Sequence, residues 1–212
     1  MSKEIFIVGA GTYGEVMCEL AEILGYSVKG FYDEDEKKQG LTIMKHSVLG
    51  KFSDLNDKEI ANNSFIVAIG NNATRYKIMN RILNSGGDTP TLVHPTATIC
   101  PSAEIGKGVY IQANACIWTK VRIEDFCIIS PNVVIAHHSN VGKACLVSTL
   151  TSVGASINIE DKVFVGMGCT IVTGMHTVGE NSIIGAGAVV LKDVDKNSVY
   201  AGVPAKKIRD IN

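Results

Sequence analysis

Two adjacent histidines, His137 and His138, are the residues of this chain best suited to acid–base chemistry. A neutral imidazole can accept a proton near pH 7, so one of them could act as a general base toward an amine or a hydroxyl. They open a segment that reads HHSNVG over residues 137–142. The residue types alone leave open whether the two histidines only line a solvated corner.

A glycine-rich turn near the N-terminus could bind a phosphate. It reads GAGTYG over residues 9–14, directly after the apolar run Glu4–Val8, and it opens a predicted helix from Tyr13 to about Leu24. Glycines allow a tight turn and close backbone approach, and a helix N-terminus attracts anions. Asp33 follows the last glycine by nineteen residues, where a dinucleotide-binding fold places its ribose-binding acid. We predict a nucleotide or nucleotide-sugar site, with NAD binding or a purely packing role as open alternatives.

The elements around this turn alternate between strand and helix. Val28–Tyr32 and Phe65–Ile69 read as further strands, and Ala73–Leu83 reads as a helix. Such alternation predicts a parallel sheet with its ligand site beyond the carboxyl ends of the strands. About ninety residues provide only one half of a doubly wound fold. We therefore predict an α/β half-Rossmann (βαβαβ) domain over residues 1–90.

A six-residue spacing dominates the rest of the chain. From Val93 to Ile171 every sixth residue is Ile or Val, and after one extra residue the spacing resumes from Val178 to Val190. Neither the helical period of 3.6 nor the strand period of 2 produces it. Repeats too small to bury their apolar residue alone are typical of a parallel β-helix built by stacking. We predict this fold for residues 91–212, and we interpret the glycines that follow many of the aliphatic residues as tight corners.

The cysteines and the overall charge exclude several classes of protein. Cys127, Cys145 and Cys169 are separated by multiples of six, which predicts that they point into the prism as small apolar residues. The six cysteines form no C-x-x-C pair, and we expect no metal. A net charge of −1 gives no indication of a nucleic-acid partner. Without a secretory signal or a membrane-spanning stretch, we predict a cytoplasmic protein.

The hexad pattern resembles the left-handed β-helix of hexapeptide-repeat acyltransferases. More specifically, the segments GAGTYG, FYDED and AIGNNATRYKI, together with the hexads and the ending AGVPAKKI, are similar to PglD/NeuD-like sugar acetyltransferases. That family includes bacillosamine-pathway N-acetyltransferases and sialic acid O-acetyltransferases. The resemblance covers nearly the whole chain. It implies acetyl-CoA as co-substrate, a homotrimer, and active sites between neighbouring prisms.

The resemblance also implies which histidine is catalytic. The catalytic segment of the family reads H-[ED]-x-x-[VI]-G and corresponds to residues 137–142, which makes His137 the general base. The sequence departs from the family at His138, where relatives usually carry the acid that orients the base. A second imidazole cannot hold the tautomer of its neighbour as a carboxylate would.

The ligand contacts of the family can be transferred in the same way. The positions that correspond to nucleotide contacts are Gly11, Thr12, Tyr13, Asp33, Glu34 and Gly70, with Tyr13 standing where relatives often carry His. Contacts to coenzyme A are expected from backbone around Met167 and Gly185, and phosphate contacts from Lys192, Lys206, Lys207 and Arg209. The alternative for these four basic residues is an ordinary solvated tail.

The resulting prediction is an acetyl-CoA-dependent N-acetyltransferase that acts on the amino group of a nucleotide-linked 4-amino-deoxy sugar, for surface polysaccharide or glycoprotein synthesis. O-acetylation of a sialic-acid-type sugar is the alternative within the same reaction class. Two remote alternatives are a non-enzymatic nucleotide-binding trimer and a γ-type carbonic anhydrase. The last would need three histidines on zinc, and the repeat region contains no H-x4-H pair.

Overall fold

The computed structural model describes residues 3–211, in which the chain divides into two compact units after Leu92. The first unit contains all the α-helices of the described residues, and the second contains short strands and a final hairpin. The helices within residues 3–211 are all too short or too polar to span a lipid bilayer.

The first unit is built on a five-stranded sheet with the order β3-β4-β2-β1-β5. Its elements are β1 (Glu4–Val8), α1 (Thr12–Ile23), β2 (Ser27–Tyr32), β3 (Thr42–Ile43), β4 (His46–Gly50), α2 (Asp57–Ile60), β5 (Phe65–Val67) and α3 (Asn72–Asn84), with 3₁₀ turns at Glu36–Lys38 and Phe52–Asp54. Strand β1 is central and pairs in parallel with β2 and β5, so three carboxyl ends meet at one edge. The half-Rossmann prediction is confirmed.

The hairpin of β3 and β4 is an addition that the sequence analysis missed. Strand β4 extends the parallel sheet beside β2, and β3 pairs with β4 in antiparallel fashion. The turn between them places Met44 and Lys45 in the left-handed region, with φ of 49° and 71°. Such turns normally carry Asn or Gly, so the usual hairpin signal is absent here. The third predicted strand also ends earlier than expected, at Val67 rather than Ile69.

The second unit is a left-handed parallel β-helix of hexapeptide repeats, as predicted. It has three parallel sheets of two-residue strands: β6 (Leu92–Val93), β7 (Thr98–Ile99), β8 (Glu104–Ile105), β9 (Tyr110–Ile111), β10 (Cys116–Ile117), β11 (Arg122–Ile123), β12 (Ile128–Ile129), β13 (Val134–Ile135), β14 (Asn140–Val141), β15 (Leu146–Val147), β16 (Ser152–Val153), β17 (Asn158–Ile159), β18 (Phe164–Val165), β19 (Thr170–Ile171), β20 (Thr177–Val178), β21 (Ile183–Ile184) and β22 (Val189–Val190). An antiparallel hairpin of β23 (Ser198–Ala201) and β24 (Lys206–Asp210) extends one sheet.

The register explains the six-residue spacing. Cys116 pairs with Val134 and Ile117 with Ile135, so one coil takes eighteen residues, or three repeats. The Ile and Val residues of the repeat form a continuous buried core along the prism. Each repeat places one aliphatic and one small residue inside, and stacking buries what a single coil could not.

The inward position of the three repeat cysteines is confirmed. Cys127, Cys145 and Cys169 are free thiols with essentially no exposure, and each Sγ lies 2.9–3.1 Å from a carbonyl oxygen of the next coil. Burial raises the pKa of the Cys145 thiol well above its ordinary value. The Cys145 thiol therefore stays neutral, and all three side chains act as buried packing groups with a weak hydrogen bond.

The glycines of the repeat have a different role from the one we predicted. Gly106 and Gly142 do not have left-handed φ angles; a Cβ on either would lie 2.6 Å from an Asp Oδ1 of the next coil, against its backbone. Their small size is needed for coil stacking. The left-handed residue of each corner comes two positions later, for example Gly108 and Ala144.

One irregularity interrupts the prism, as the spacing predicted. Strand β20 pairs Thr177 with Asn158, a separation of nineteen residues rather than eighteen. The carboxylate of Asp193 closes the extra loop by accepting hydrogen bonds from the N–H groups of His176 (2.6 Å) and Thr177 (3.1 Å). Those two bonds lower the pKa of Asp193.

Candidate active site

The two histidines form a pair at the corner of the prism between β13 and β14. Their Nδ1 atoms lie 3.1 Å apart and their rings are nearly perpendicular, at 88°. The backbone is held by the coils on either side, because His138 N–H donates to Thr119 O and His137 O accepts from Ser156 N–H, both at 3.0 Å. Both side chains are exposed.

The backbone of His138 follows from its place in the repeat. It occupies the corner position that is left-handed at every sixth residue from Gly108 to Gly168, with φ of 61°. Histidine, like Asn and Asp, is enriched in this conformation. This corner directs the His138 ring onto the ring of His137.

A 3.1 Å contact between two Nδ1 atoms has a chemical consequence. In a neutral pair only one of these atoms carries the shared hydrogen, so one ring donates and the other accepts. When His137 donates to His138, the Nε2 atom of His137 keeps its lone pair. In that tautomer the Nε2 atom of His137 is able to accept a proton from a ligand, and the Nδ1 atom of His138 accepts the hydrogen bond that fixes the tautomer.

Trp118 belongs to this cluster and was missed in the sequence analysis. Its ring centroid lies 6.4 Å from that of His137, with the planes 32° apart, and 44% of the residue is exposed. It is the only tryptophan of the chain and precedes His137 by one coil plus one residue. The eighteen-residue coil could have located it. An exposed indole beside the imidazole gives a flat apolar surface for a ligand.

A polar groove begins beside the histidine corner. It runs across strands β11, β14 and β17 of one sheet and has a volume of about 490 Å³. Its lining includes basic, amide and acidic side chains: Arg122, Asn140, Asn158, Glu160 and Glu180. Asn140 follows His138 by two residues, so the groove provides hydrogen-bonding groups next to the histidine pair.

The three glycines of the N-terminal turn have different steric surroundings. Gly9 has φ of +107°, and a Cβ there would lie 2.8 Å from Ala68 O at the end of β5. A Cβ on Gly14 would lie only 2.1 Å from Gly9 O, so the close packing of α1 on the turn requires glycine. Gly11 has nothing within 4 Å and leaves an open approach to the backbone.

The open approach leads to the N-terminus of α1. Gly11 is the N-cap, and no side chain caps the helix. Thr12 and Tyr13 form the start of the helix, Thr12 exposed and Tyr13 half-buried. Amide groups at a helix N-terminus attract anions. The structure thus combines an uncapped helix with a glycine that leaves room for a phosphate.

Asp33 lies at this turn, as its spacing predicted. Its Oδ2 accepts from Ala10 N–H (2.8 Å) and from Lys38 Nζ (3.0 Å), and its Oδ1 accepts from Asp35 N–H (2.9 Å). Burial acts to raise the pKa of Asp33, but these three donors lower it overall. Glu34 is directed elsewhere: its carboxylate accepts from the N–H (3.0 Å) and hydroxyl (2.7 Å) of Ser53.

Gly70 lies in the loop after β5 and has open space where a Cβ would be. A second residue missed in the sequence analysis, Arg75, holds this loop from inside. The Arg75 side chain is fully buried and donates to Ile69 O (3.0 Å), Gly70 O (3.3 Å) and Asn72 Oδ1 (2.8 Å). The loop that carries Gly70 is therefore fixed by a buried cation bonded to its carbonyls.

The residues predicted to contact coenzyme A gather partly at one corner of the prism. Met167 is 59% exposed, and its carbonyl accepts from Gly187 N–H at 2.8 Å. Gly185 donates its N–H to Tyr200 O at 2.8 Å, and a Cβ on it would lie 2.9 Å from Ala201 Cβ. The N–H of Gly185 thus serves the C-terminal hairpin, whereas the side chain of Met167 faces solvent.

The basic residues proposed for phosphates have different surroundings. Lys206 and Lys207 start β24, and Lys192 follows β22; all three are exposed. Lys207 bridges to Asp195 (3.2 Å) and Asp210 (2.8 Å), and these carboxylates raise its pKa. No ion pair within residues 3–211 involves Lys192 or Lys206.

Comparison with known families matches both units. Residues 4–82 match the family described as the PglD N-terminal domain. Residues 88–209, more than half of the chain, match the family described as the GMPPB C-terminal domain. The chain belongs to this family and to the PglD-like hexapeptide-repeat sugar acetyltransferases.

Members of known function and structure align with much of the chain. GDP-perosamine N-acetyltransferase of Escherichia coli O157:H7 is 27% identical over 192 residues, covering 85% of this chain and 82% of that protein. Galactoside O-acetyltransferase of E. coli K12 is 35% identical over 116 residues, covering 51% and 54%. The first four curated relatives are matched over only about a quarter to a half of their length.

A solved structure of the family covers nearly the whole chain. PerB from Caulobacter crescentus, solved in complex with CoA and GDP-perosamine, has a TM-score of 0.87, 29% identity and 96% coverage of both chains. Both units of the chain thus have counterparts in one solved protein.

Proposed function

We propose that the protein transfers an acetyl group from acetyl-CoA to the amino group of a nucleotide-linked 4-amino-deoxy sugar, for surface polysaccharide or glycoprotein synthesis. The observation that carries the proposal is the His137–His138 pair, with Nδ1 atoms 3.1 Å apart at an exposed corner of the prism. The similarity to PerB, which was solved with CoA and GDP-perosamine, supports these two substrate classes.

In the proposed reaction His137 is the general base. Its Nδ1–H donates to His138 Nδ1, and its Nε2 accepts a proton as the sugar amine attacks the thioester carbonyl. The new C–N bond forms, the tetrahedral intermediate collapses, and the C–S bond breaks. The CoA thiolate then takes the proton from the His137 imidazolium, which returns the base to its starting form. Juxtaposition of amine and thioester supplies a large part of the rate enhancement.

The α/β unit holds the nucleotide in this proposal. The phosphates lie at the N-terminus of α1, where Gly11 leaves room and Thr12 and Tyr13 begin the helix. Asp33 and Gly70 border the same edge of the sheet, whereas Glu34, engaged by Ser53, reaches a ligand only if it gives up that contact.

The prism holds acetyl-CoA in this proposal. The exposed Met167 side chain contacts the cofactor beside Gly185, and Lys192, Lys206 and Lys207 provide positive charge for its phosphates. Lys207 already bridges two carboxylates, so Lys192 and Lys206 are the better placed of the three.

The proposed assembly is a homotrimer that works in the cytoplasm. The exposure of the histidine pair fits a site that a neighbouring prism completes. The six free cysteines among the described residues fit a reducing compartment.

O-acetylation of a sialic-acid-type sugar is the second candidate. The 35% identity to a galactoside O-acetyltransferase over 116 residues supports it, and the same base could deprotonate a hydroxyl.

An acceptor screen with the purified full chain tests both candidates. Release of the free CoA thiol is measured with UDP-, dTDP- and GDP-linked 4-amino-deoxy sugars, with their 4-hydroxy counterparts as matched controls, and with free sialic acids. Turnover with an amino sugar and none with its 4-hydroxy counterpart supports N-acetylation. Turnover with sialic acids alone establishes the second candidate, and no thiol release with any acceptor contradicts both.

A further inference from the structure

Three side chains of metal-binding type converge in the α/β unit. Cys18 and Glu22 lie on α1, and His46 begins β4; one ligand atom from each lies within 4.8 Å of the other two. His46 Nε2 and Glu22 Oε1 are already 3.1 Å apart. We propose that Cys18, Glu22 and His46 bind one zinc ion, which takes water as its fourth ligand. This inference goes beyond the proposed acetyl transfer and does not depend on it.

The local geometry favours a tetrahedral ion. Residues four apart on a helix lie on one face, so Cys18 and Glu22 present a sulfur and a carboxylate side by side. Around tetrahedral zinc the ligand atoms are separated by about 3.3–3.6 Å. The longest separation in the cluster, at most 4.8 Å, therefore needs to contract by no more than about 1.5 Å.

The burial of the three ligands differs in a way that suits such a site. Cys18 is fully buried, the His46 side chain is about 20% exposed, and the Glu22 side chain is about 52% exposed. An ion can enter from the side of Glu22 and displace the thiol proton to solvent, leaving the fourth position in contact with water. Thiolate, imidazole and carboxylate are the ligands that zinc takes in proteins.

The alternatives explain less of this arrangement. A reactive cysteine needs an accessible thiol, but Cys18 is fully buried. A His46–Glu22 ion pair at the surface contributes little and does not use the sulfur. A zinc ion uses all three groups and would tie α1 to strand β4.

The experiment uses the full chain, freed of metal by a chelator and then titrated with zinc alone and with cobalt alone. We expect one zinc per chain by elemental analysis, and a thiolate-to-cobalt charge-transfer band in the absorption spectrum. Cys18→Ser should abolish the band, and His46→Gln should lower zinc affinity about tenfold or more. Cys116→Ser, His94→Gln and His137→Ala are the matched controls and should leave binding unchanged.

Each contrary result is decisive. A wild-type chain without stoichiometric zinc overturns the proposal, as does a thiolate band that persists in Cys18→Ser. Loss of zinc in His137→Ala but not in His46→Gln would assign the ion to the prism histidines and also overturn it. If Cys18→Ser does not fold, as judged by circular dichroism, the partly exposed His46→Gln variant carries the test. The titrations contain neither acetyl-CoA nor sugar, so failure of the proposed function does not affect them.

Discussion

The prism and the α/β unit differ in how often each contact is used. In the prism one contact recurs along the stack: Asp125 Oδ1 accepts from Lys107 N–H, and thirty-six residues, or two coils, further along the chain Asp161 Oδ1 accepts from Lys143 N–H, both at 2.8 Å. In the α/β unit the bond from Ala10 N–H to Asp33 occurs once. The function that we propose for the prism therefore depends on side chains that the repeat does not need, such as His137.

In the α/β unit the same residues serve the fold and the candidate site. Gly14 allows α1 to pack on the turn, and Asp33 ties that turn to the end of β2. Two spectroscopic signals can separate the units: all α-helices of the described residues lie in the first, and Trp118, the only tryptophan, lies in the second. Helical circular dichroism reports one unit and tryptophan fluorescence the other.

The largest effect is expected at a side chain that the repeat itself does not need, the imidazole of His137. His137→Ala should lower kcat about 10²–10⁴-fold, because it removes the proposed general base. Stability should change by no more than about 0.5 kcal/mol, since the side chain is exposed. Steady-state kinetics of CoA release and urea unfolding measure the two quantities. An intact kcat would remove His137 from the mechanism.

His138 provides the matched control. His138→Glu supplies a carboxylate that can accept the Nδ1–H of His137, so it should keep most of kcat, whereas His138→Ala should lose more. An equal loss of kcat in both variants would contradict an orienting role for His138 and would leave it only a packing role at the corner.

The second prediction concerns a buried residue that the repeat needs, where we expect a loss of stability rather than of activity. Ile135 is fully buried in the prism, and Ile135→Ala should cost about 4 kcal/mol of unfolding free energy. Ile99 is half-buried in the first coils, so Ile99→Ala should lower the unfolding free energy by about half as much. Urea unfolding followed by Trp118 fluorescence measures both. A loss that appears instead in the helical signal would show that the units do not unfold separately.

The same contrast explains what the sequence could predict. The prism was predictable because every coil repeats the same two inward positions, so many residues agree on one register. The glycine turn and Asp33 were predictable from spacing along one short segment. The β3–β4 hairpin was missed because Met44 and Lys45 form its left-handed turn without glycine or asparagine. His46 lies on that hairpin, so its proximity to Cys18 could not be foreseen.

A third prediction separates fold from site within the glycine turn. Gly14→Ala should cost about 3 kcal/mol, because its Cβ would lie 2.1 Å from Gly9 O, which is backbone and cannot move aside. Gly11→Ala meets nothing within 4 Å and should leave the helical unfolding transition nearly unchanged. It should instead raise KM for the nucleotide sugar about tenfold or more, because it fills the proposed phosphate approach. Equal stability of the two variants would contradict the claim that a Cβ is excluded at Gly14 but has room at Gly11.

The smallest effect concerns the hydrogen bonds of the Asp33 carboxylate, which join the glycine turn to the end of β2. Asp33→Asn should cost about 1–2 kcal/mol at pH 7, since a charged acceptor of three hydrogen bonds is lost. The folded pKa of Asp33 lies below its ordinary value of 3.8, so its contribution is complete above that pH and is lost as the pH falls through the folded pKa. Urea unfolding by the helical signal at pH 7 and at stepwise lower pH should show the two proteins converging below about pH 4. A difference that stays constant into acid would mean that shape, rather than the charge of Asp33, holds the turn to β2.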